Sequence, residues 1–194
     1  MLKTLINSST KRVMYNNHRY LWKWVEDTFN RVEEDRIKEI GPNMACAEWL
    51  MKNGAQIRWK GCKEFVNHYN CLPAATNGSL QQFKIEQVYA GKEASISHVG
   101  FNYFKGCKHI STVSFVGCNT IENKALSNLN LLAECLEHLE VIGCVNVTDN
   151  GILALKDLQA LKTLVLKNLQ YFTKTEVISQ LKDALPNCKI KHDK

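Results

Sequence analysis

The 194-residue chain has no run of 18 consecutive apolar residues, the length a helix needs to cross the hydrocarbon core of a bilayer. Its eight cysteines, at positions 46, 62, 71, 107, 118, 135, 144 and 188, include no C-x-x-C pair, which argues against a zinc or disulfide framework. Cys62, His68 and Cys71 could supply part of a metal site, but no fourth ligand accompanies them. Buried thiols in a reducing compartment are the simpler expectation. The catalytic signatures are missing too: there is no nucleophile elbow, P-loop, dinucleotide fingerprint or H-E-x-x-H helix. His138, flanked by Glu137 and Glu140, has no nucleophile beside it in sequence, so a strand face of mixed charge explains it more simply than acid–base chemistry. The chain reads as a non-enzyme without a small-molecule substrate.

Acidic residues are absent from positions 1–25, which hold Lys3, Lys11, Arg12, Arg19 and Lys23. With Leu2, Leu5 and Ile6 set among serines and threonines, this pattern predicts a mitochondrial presequence over 1–19, or else a disordered basic tail. No continuous apolar stretch supports a secretory signal. The formal charge of +6 comes from 25 basic and 19 acidic residues. Removing the five basic residues of positions 1–25 leaves 20 against 19, a nearly neutral body. Net charge therefore gives no support to a nucleic-acid partner.

The chain does contain a period. Ile110-x-x-Val113-x-Phe115-x-Gly117-Cys118 is echoed 26 residues later by Leu136-x-x-Leu139-x-Val141-x-Gly143-Cys144. The frame extends to Ile85-x-x-Val88-x-Ala90, Leu161-x-x-Leu164-x-Leu166 and Leu185-x-x-Cys188-x-Ile190, at spacings of 25, 26, 25 and 24. An L-x-x-L-x-L unit followed by cysteine marks a leucine-rich repeat, one strand and one helical return per unit. The expected fold is α/β: a leucine-rich-repeat solenoid of about four repeats with a curved parallel sheet, over 61–194, plus a small α-helical N-terminal domain over 20–60. Cys118 and Cys144 occupy equivalent positions, where the thiol packs as a small hydrophobe beneath the turn.

Because strand side chains alternate, the x positions should line the concave face. They are Gln87 and Tyr89; Thr112, Ser114 and Val116; His138, Glu140 and Ile142; Thr163, Val165 and Lys167. Among them Tyr89, Ser114, Val116, His138, Glu140, Ile142, Val165 and Lys167 are candidates for binding a partner. Val116, Ile142 and Val165 are expected to form an apolar row, open to a protein partner or covered by the N-terminal helices or a loop.

Upstream, Leu21, Val25, Phe29, Val32 and Ile37 predict one amphipathic helix over 20–40, ended by Gly41-Pro42. A second helix is expected from about Asn43 to Asn53, closed by a left-handed Gly54. Gln56–Trp59 should form a strand pairing with the first repeat. Trp22 and Trp24, two residues apart, cannot share a helix face; one could anchor the core while the other meets a membrane surface or partner.

These N-terminal residues carry a specific resemblance. Tyr20-Leu-Trp-Lys-Trp24, Phe29-Asn-Arg-Val32, Asp35-Arg-Ile37, Ala47-Glu-Trp-Leu50 and Asn53-Gly-Ala55 join Gly143-Cys144-x-Asn146-Val147-Thr148-Asp149 of the repeats. Together they resemble the mitochondrial ATP synthase subunit s family, also called coupling factor B. The resemblance implies a peripheral protein on the matrix side of the inner membrane, associated with membrane-sector subunits of ATP synthase. Its implied role is non-enzymatic: supporting proton-coupled ATP synthesis by limiting a proton leak. A paralogous family assists assembly of the distal membrane arm of complex I. An F-box-like ubiquitin-ligase adaptor is a further alternative for cysteine-type repeats. The resemblance also implies a Mg2+ site on main-chain carbonyls, here at Gly54 and Gly91. Relatives carry a Cys-x-Cys at the end of the second repeat strand, where this chain has Val116 and Cys118.

Overall fold

The structure is a computed structural model that describes residues 24–25, 28–73 and 80–193. Trp22 and the presequence region lie outside the described residues. The fold is α/β, with a six-stranded open sheet whose strands follow chain order. The strands are β1 (Gln56–Trp59), β2 (Ile85–Ala90), β3 (Thr112–Val116), β4 (His138–Ile142), β5 (Thr163–Lys167) and β6 (Lys189–His192). β1 is antiparallel to β2, and every other pair is parallel.

The strand register matches the sequence period at most points. Val113 pairs with Leu139 and Leu139 with Leu164, while Phe115, Val141 and Leu166 form the next row inward. All six are buried. The last strand differs from expectation: Ile190 lies opposite Leu164, not Leu166. Paired positions thus advance by 25, 26, 25 and 26 residues, through 87, 112, 138, 163 and 189. The expected frame for the final strand was two residues out of register. Such a slip leaves the faces unchanged, because side chains alternate with period two. The apolar pattern alone could not distinguish the two registers.

Strands β3, β4 and β5 each turn sharply at their ends. Gly117 and Gly143 adopt positive φ, at 66° and 63°, and Asn168 takes the same role at 51°. Left-handed backbone favours glycine and is tolerated by asparagine. Beneath the first two turns sit Cys118 and Cys144, both fully buried. Burial pushes the Cys144 thiol up to about 11, so it packs as an apolar group rather than acting as a nucleophile. The helical returns are α3 (Asn123–Asn128), α4 (Asp149–Leu153) and α5 (Thr175–Ala184). Equivalent side chains tie one return to the next. The Asn123 amide accepts from the Thr148 N–H at 2.9 Å, and the Asp149 carboxylate accepts from the Thr173 and Lys174 N–H groups at 3.0 and 3.1 Å.

The N-terminal side is built differently. The expected single helix over 20–40 is interrupted: residues 24–25 and 28–29 are helical, the chain turns at Asn30, and α1 begins at Glu34 and ends at Ile40. The break has a polar cause. Asn30 is fully buried, accepts from Trp49 Nε1 at 3.0 Å and from Ser97 N–H at 2.9 Å, and donates to the Ser95 carbonyl at 2.9 Å. The Glu33 N–H turns to the Tyr103 hydroxyl at 2.9 Å instead of continuing the upstream helix. A buried amide with all these partners outweighs the modest propensity of one more helical turn. Phe29, expected on the inward stripe, is consequently 66% exposed.

Helix α2 (Pro42–Lys52) follows α1 directly. Pro42 occupies its first turn, where a missing N–H costs little, and Gly54 adopts the expected positive φ of 75°. Asn43 through Met51 are all buried, since α2 packs between α1, β1 and the 3₁₀ segment His98–Phe104. Trp49 is the centre of this packing. It stacks on Tyr103 at 5.4 Å and meets Phe101 and Phe104 edge-on at 6.0 and 5.6 Å. Gly100 lies against its indole, so close that an added Cβ would overlap the ring. Arg36 clamps the buried Glu48 carboxylate through two nitrogens, at 3.0 and 2.5 Å. Burial works against the charge of Glu48, but the hydrogen bond and charge of Arg36, assisted by Lys52, hold its carboxyl below the usual range.

Candidate partner-binding face

The sheet face opposite the helical returns carries three cross-strand rows. The first runs Arg58, Gln87, Thr112, His138, Thr163, Lys189. The second runs Gln56, Tyr89, Ser114, Glu140, Val165, Lys191. Val116, Ile142 and Lys167 form the third. Tyr89, Ser114, Val116, Glu140, Ile142 and Val165 are half-buried, while His138 and Lys167 are exposed. The structure thus gathers on one face all eight strand residues singled out as contact candidates.

The expected apolar row takes another shape. Val116 and Ile142 are adjacent, but the next position is Lys167; Val165 belongs to the row of Ser114 and Glu140. The apolar groups therefore make a diagonal, within reach of large side chains across a pleated surface. Polar contacts order the middle of the face: Ser114 Oγ donates to Glu140 Oε2 at 2.8 Å. Beside it, Lys162 lies 2.8 Å from Glu137, and its hydrogen bond holds the Glu137 carboxyl below the usual range. His138 sits 4.0 Å from Glu137. The group is a surface charge cluster, and among the described residues no three His, Cys, Asp or Glu side chains converge as a metal site.

Several contributors escaped the sequence reading. Arg58 joins the face from β1 and pairs with Glu86 at 2.6 Å. Phe65 packs edge-on against Tyr89 at 6.5 Å, so the loop after β1 overlies the N-terminal end of the rows and leaves Val116, Ile142 and Val165 partly open. Lys189 and Lys191 extend the first two rows. The alternation of Gln56 and Arg58 with Ile57 and Trp59 could have revealed the first pair, and a 26-residue spacing the second. Trp24 lies far along the chain from these strands and is 65% exposed in the interrupted helical segment.

Gly54 packs against the turn that follows β2 and contains Gly91: a Cβ on Gly54 would lie 3.0 Å from the Glu93 carbonyl oxygen. The Gly91 carbonyl accepts from the Ala94 N–H at 3.1 Å and keeps a second lone pair. The arrangement offers neutral carbonyl oxygens suited to a hard cation, with Lys92 adding a positive charge beside them.

No protein-family model matches the chain. Curated relatives do. The chain is 35% identical over 188 residues to the rat protein named ATP synthase subunit s, mitochondrial, covering 94% of this chain and 92% of the rat protein. It is 36% identical over 177 residues to the human protein of that name, covering 89% and 86% of the two chains. It is also 36% identical over 179 residues to the bovine one, covering 90% and 88%.

Proposed function

This chain belongs to the mitochondrial ATP synthase subunit s family, and from that premise we propose that it is a non-catalytic accessory subunit of mitochondrial ATP synthase. The observation that carries this is similarity along nearly the whole length of both chains, through the Trp49-centred helical part as well as the strands. The relatives are named as a subunit of that complex, which supports a mitochondrial location. No helix among the described residues is long and apolar enough to cross a membrane. In this reading the protein attaches peripherally to the matrix side of the inner membrane through membrane-sector subunits.

In this account residues 1–19 are the presequence, 20–60 the N-terminal helical domain, and 61–194 a leucine-rich-repeat solenoid of about four repeats with a curved sheet. The candidate face binds the partner, with the Val116–Ile142–Val165 diagonal supplying apolar contact and Glu140 and Lys167 setting orientation. Docking there limits proton leak through the membrane sector. A Mg2+ ion would be held by the carbonyls of Gly54 and Gly91, with water completing its coordination. A rise in thermal midpoint on adding Mg2+ to chelator-treated protein supports that site, and an unchanged midpoint removes it.

Depletion from cells tests the function. ATP-linked respiration should fall, or leak respiration rise, while assembled complex I stays constant. Loss of complex I with normal coupling would assign the chain to the assembly role instead.

A further inference from the structure

The two edges of the sheet are not equally closed. At the β1 edge, Ile57 exchanges both backbone hydrogen bonds with Val66, at 3.1 and 2.7 Å. At the β6 edge, the N–H groups of Lys189 and Asp193 point inward, to the carbonyls of Lys162 and Leu166 at 2.8 and 3.2 Å. By the alternation of a parallel strand, the N–H and C=O groups of Ile190 and His192 point away from β5. Among the described residues nothing pairs with them.

Three further features meet at this edge. Lys189 and Lys191 project on the exposed face, with Lys167 on the neighbouring strand, and none of the three has an ion pair among the described residues. The nearby Asp193 carboxylate is engaged by the Asn168 N–H at 3.1 Å. Ile190, on the core side, is only half-buried. Beyond the end of β5 lies a cleft of about 310 Å³, with Leu166, Leu169 and Phe172 as its apolar wall and Lys167 and Asp193 at its polar side.

We propose that the outer edge of β6 accepts an extended, acidic segment of a partner protein as an added strand. Its backbone would pair with Ile190 and His192. Its alternate carboxylates would meet Lys189 and Lys191, and an apolar side chain would enter the cleft. Charge chooses this occupant over a second copy of the chain: antiparallel pairing of two β6 strands would set lysines opposite lysines, which is unfavourable. Strand addition of this kind takes affinity from main-chain hydrogen bonds and specificity from alternate side chains.

The test uses the full chain and a fluorescein-labelled peptide of alternating glutamate and valine, with its lysine–valine counterpart as control. The glutamate peptide should bind, the lysine peptide should not, and hydrogen exchange at the Ile190 and His192 amides should slow on binding. Ile190→Pro removes an outward N–H without breaking the ladder to β5, and should weaken binding by about five- to tenfold. Lys189→Glu with Lys191→Glu should reverse the peptide preference and guards against a folding defect in the proline variant. Equal binding of both peptides, unchanged exchange at the two amides, or no binding of the glutamate peptide would overturn the proposal. So would association with phosphatidylcholine vesicles containing cardiolipin in the absence of peptide binding, which would make the lysines a membrane-facing patch.

Discussion

At the β1 edge, Ile57 and Trp59 are buried, α2 packs against the strand, Val66 closes the outer backbone groups of Ile57, and Trp59 meets Phe83 at 5.5 Å. At the β6 edge, the pattern is exposed, half-buried, exposed, exposed, and three of the four side chains can carry positive charge. The two edges share one sheet and one hydrogen-bonding chemistry. They differ in how much apolar surface the chain places over them, and this is the quantity that sets local stability. The two ends of the sheet are therefore not alike: a helix packs against the β1 end, whereas the outer edge of β6 pairs with no other strand among the described residues.

Substitutions at the two edges should separate this account from one in which both ends are equivalent. The largest effect is expected from Trp49→Ala, which empties the centre of the N-terminal cluster and leaves the Asn30 carbonyl oxygen short of a donor. A loss of about 4 kcal/mol is expected, measured by urea unfolding. Matched alanine substitutions come next. Ile57→Ala should cost about 3 kcal/mol and Ile190→Ala about 1 kcal/mol or less, because the first removes fully buried methylenes and the second half-buried ones. Equal costs would break the comparison.

A smaller effect separates the ends by pH. The Glu48 carboxyl is held below its unfolded value, so its pairing stabilises the fold above the ordinary carboxylate range and is lost as pH falls through the lowered folded value. Arg36→Met should cost about 2 kcal/mol near neutrality. That deficit should shrink under acid, where the buried carboxyl protonates and no longer needs its partner. A deficit independent of pH would mean that Arg36 acts by packing alone. The smallest effect belongs to Lys191→Thr, expected within about 0.5 kcal/mol of the parent.

Much of the strand region was legible beforehand because one physical rule repeats there. An inward residue at every second position, a left-handed turn and a small buried thiol recur along the chain, and each recurrence strengthens the others. Ile85, Val88 and Ala90 through Leu161, Leu164 and Leu166 are buried where the period places them. The final strand was misframed because Cys188 and Ile190 occupy one face in either register. The interruption at Asn30 was invisible for another reason. Its causes are Trp49, Ser95, Ser97 and Tyr103, contacts as far as 70 residues along the chain (Glu33 to Tyr103), and no local pattern signals them. The face itself followed from alternation alone, whereas its lysine-rich end needed the register.

The central claim is that this sheet face is where the protein meets ATP synthase. Affinity isolation of the tagged full-length chain from gently solubilised mitochondria, comparing the parent with a Glu140→Lys, Lys167→Glu variant of unchanged thermal stability, tests it most directly. Membrane-sector subunits of ATP synthase should co-purify with the parent and be strongly depleted from the variant. Equal recovery by both proteins, or recovery of complex I subunits in place of ATP synthase, would contradict the account.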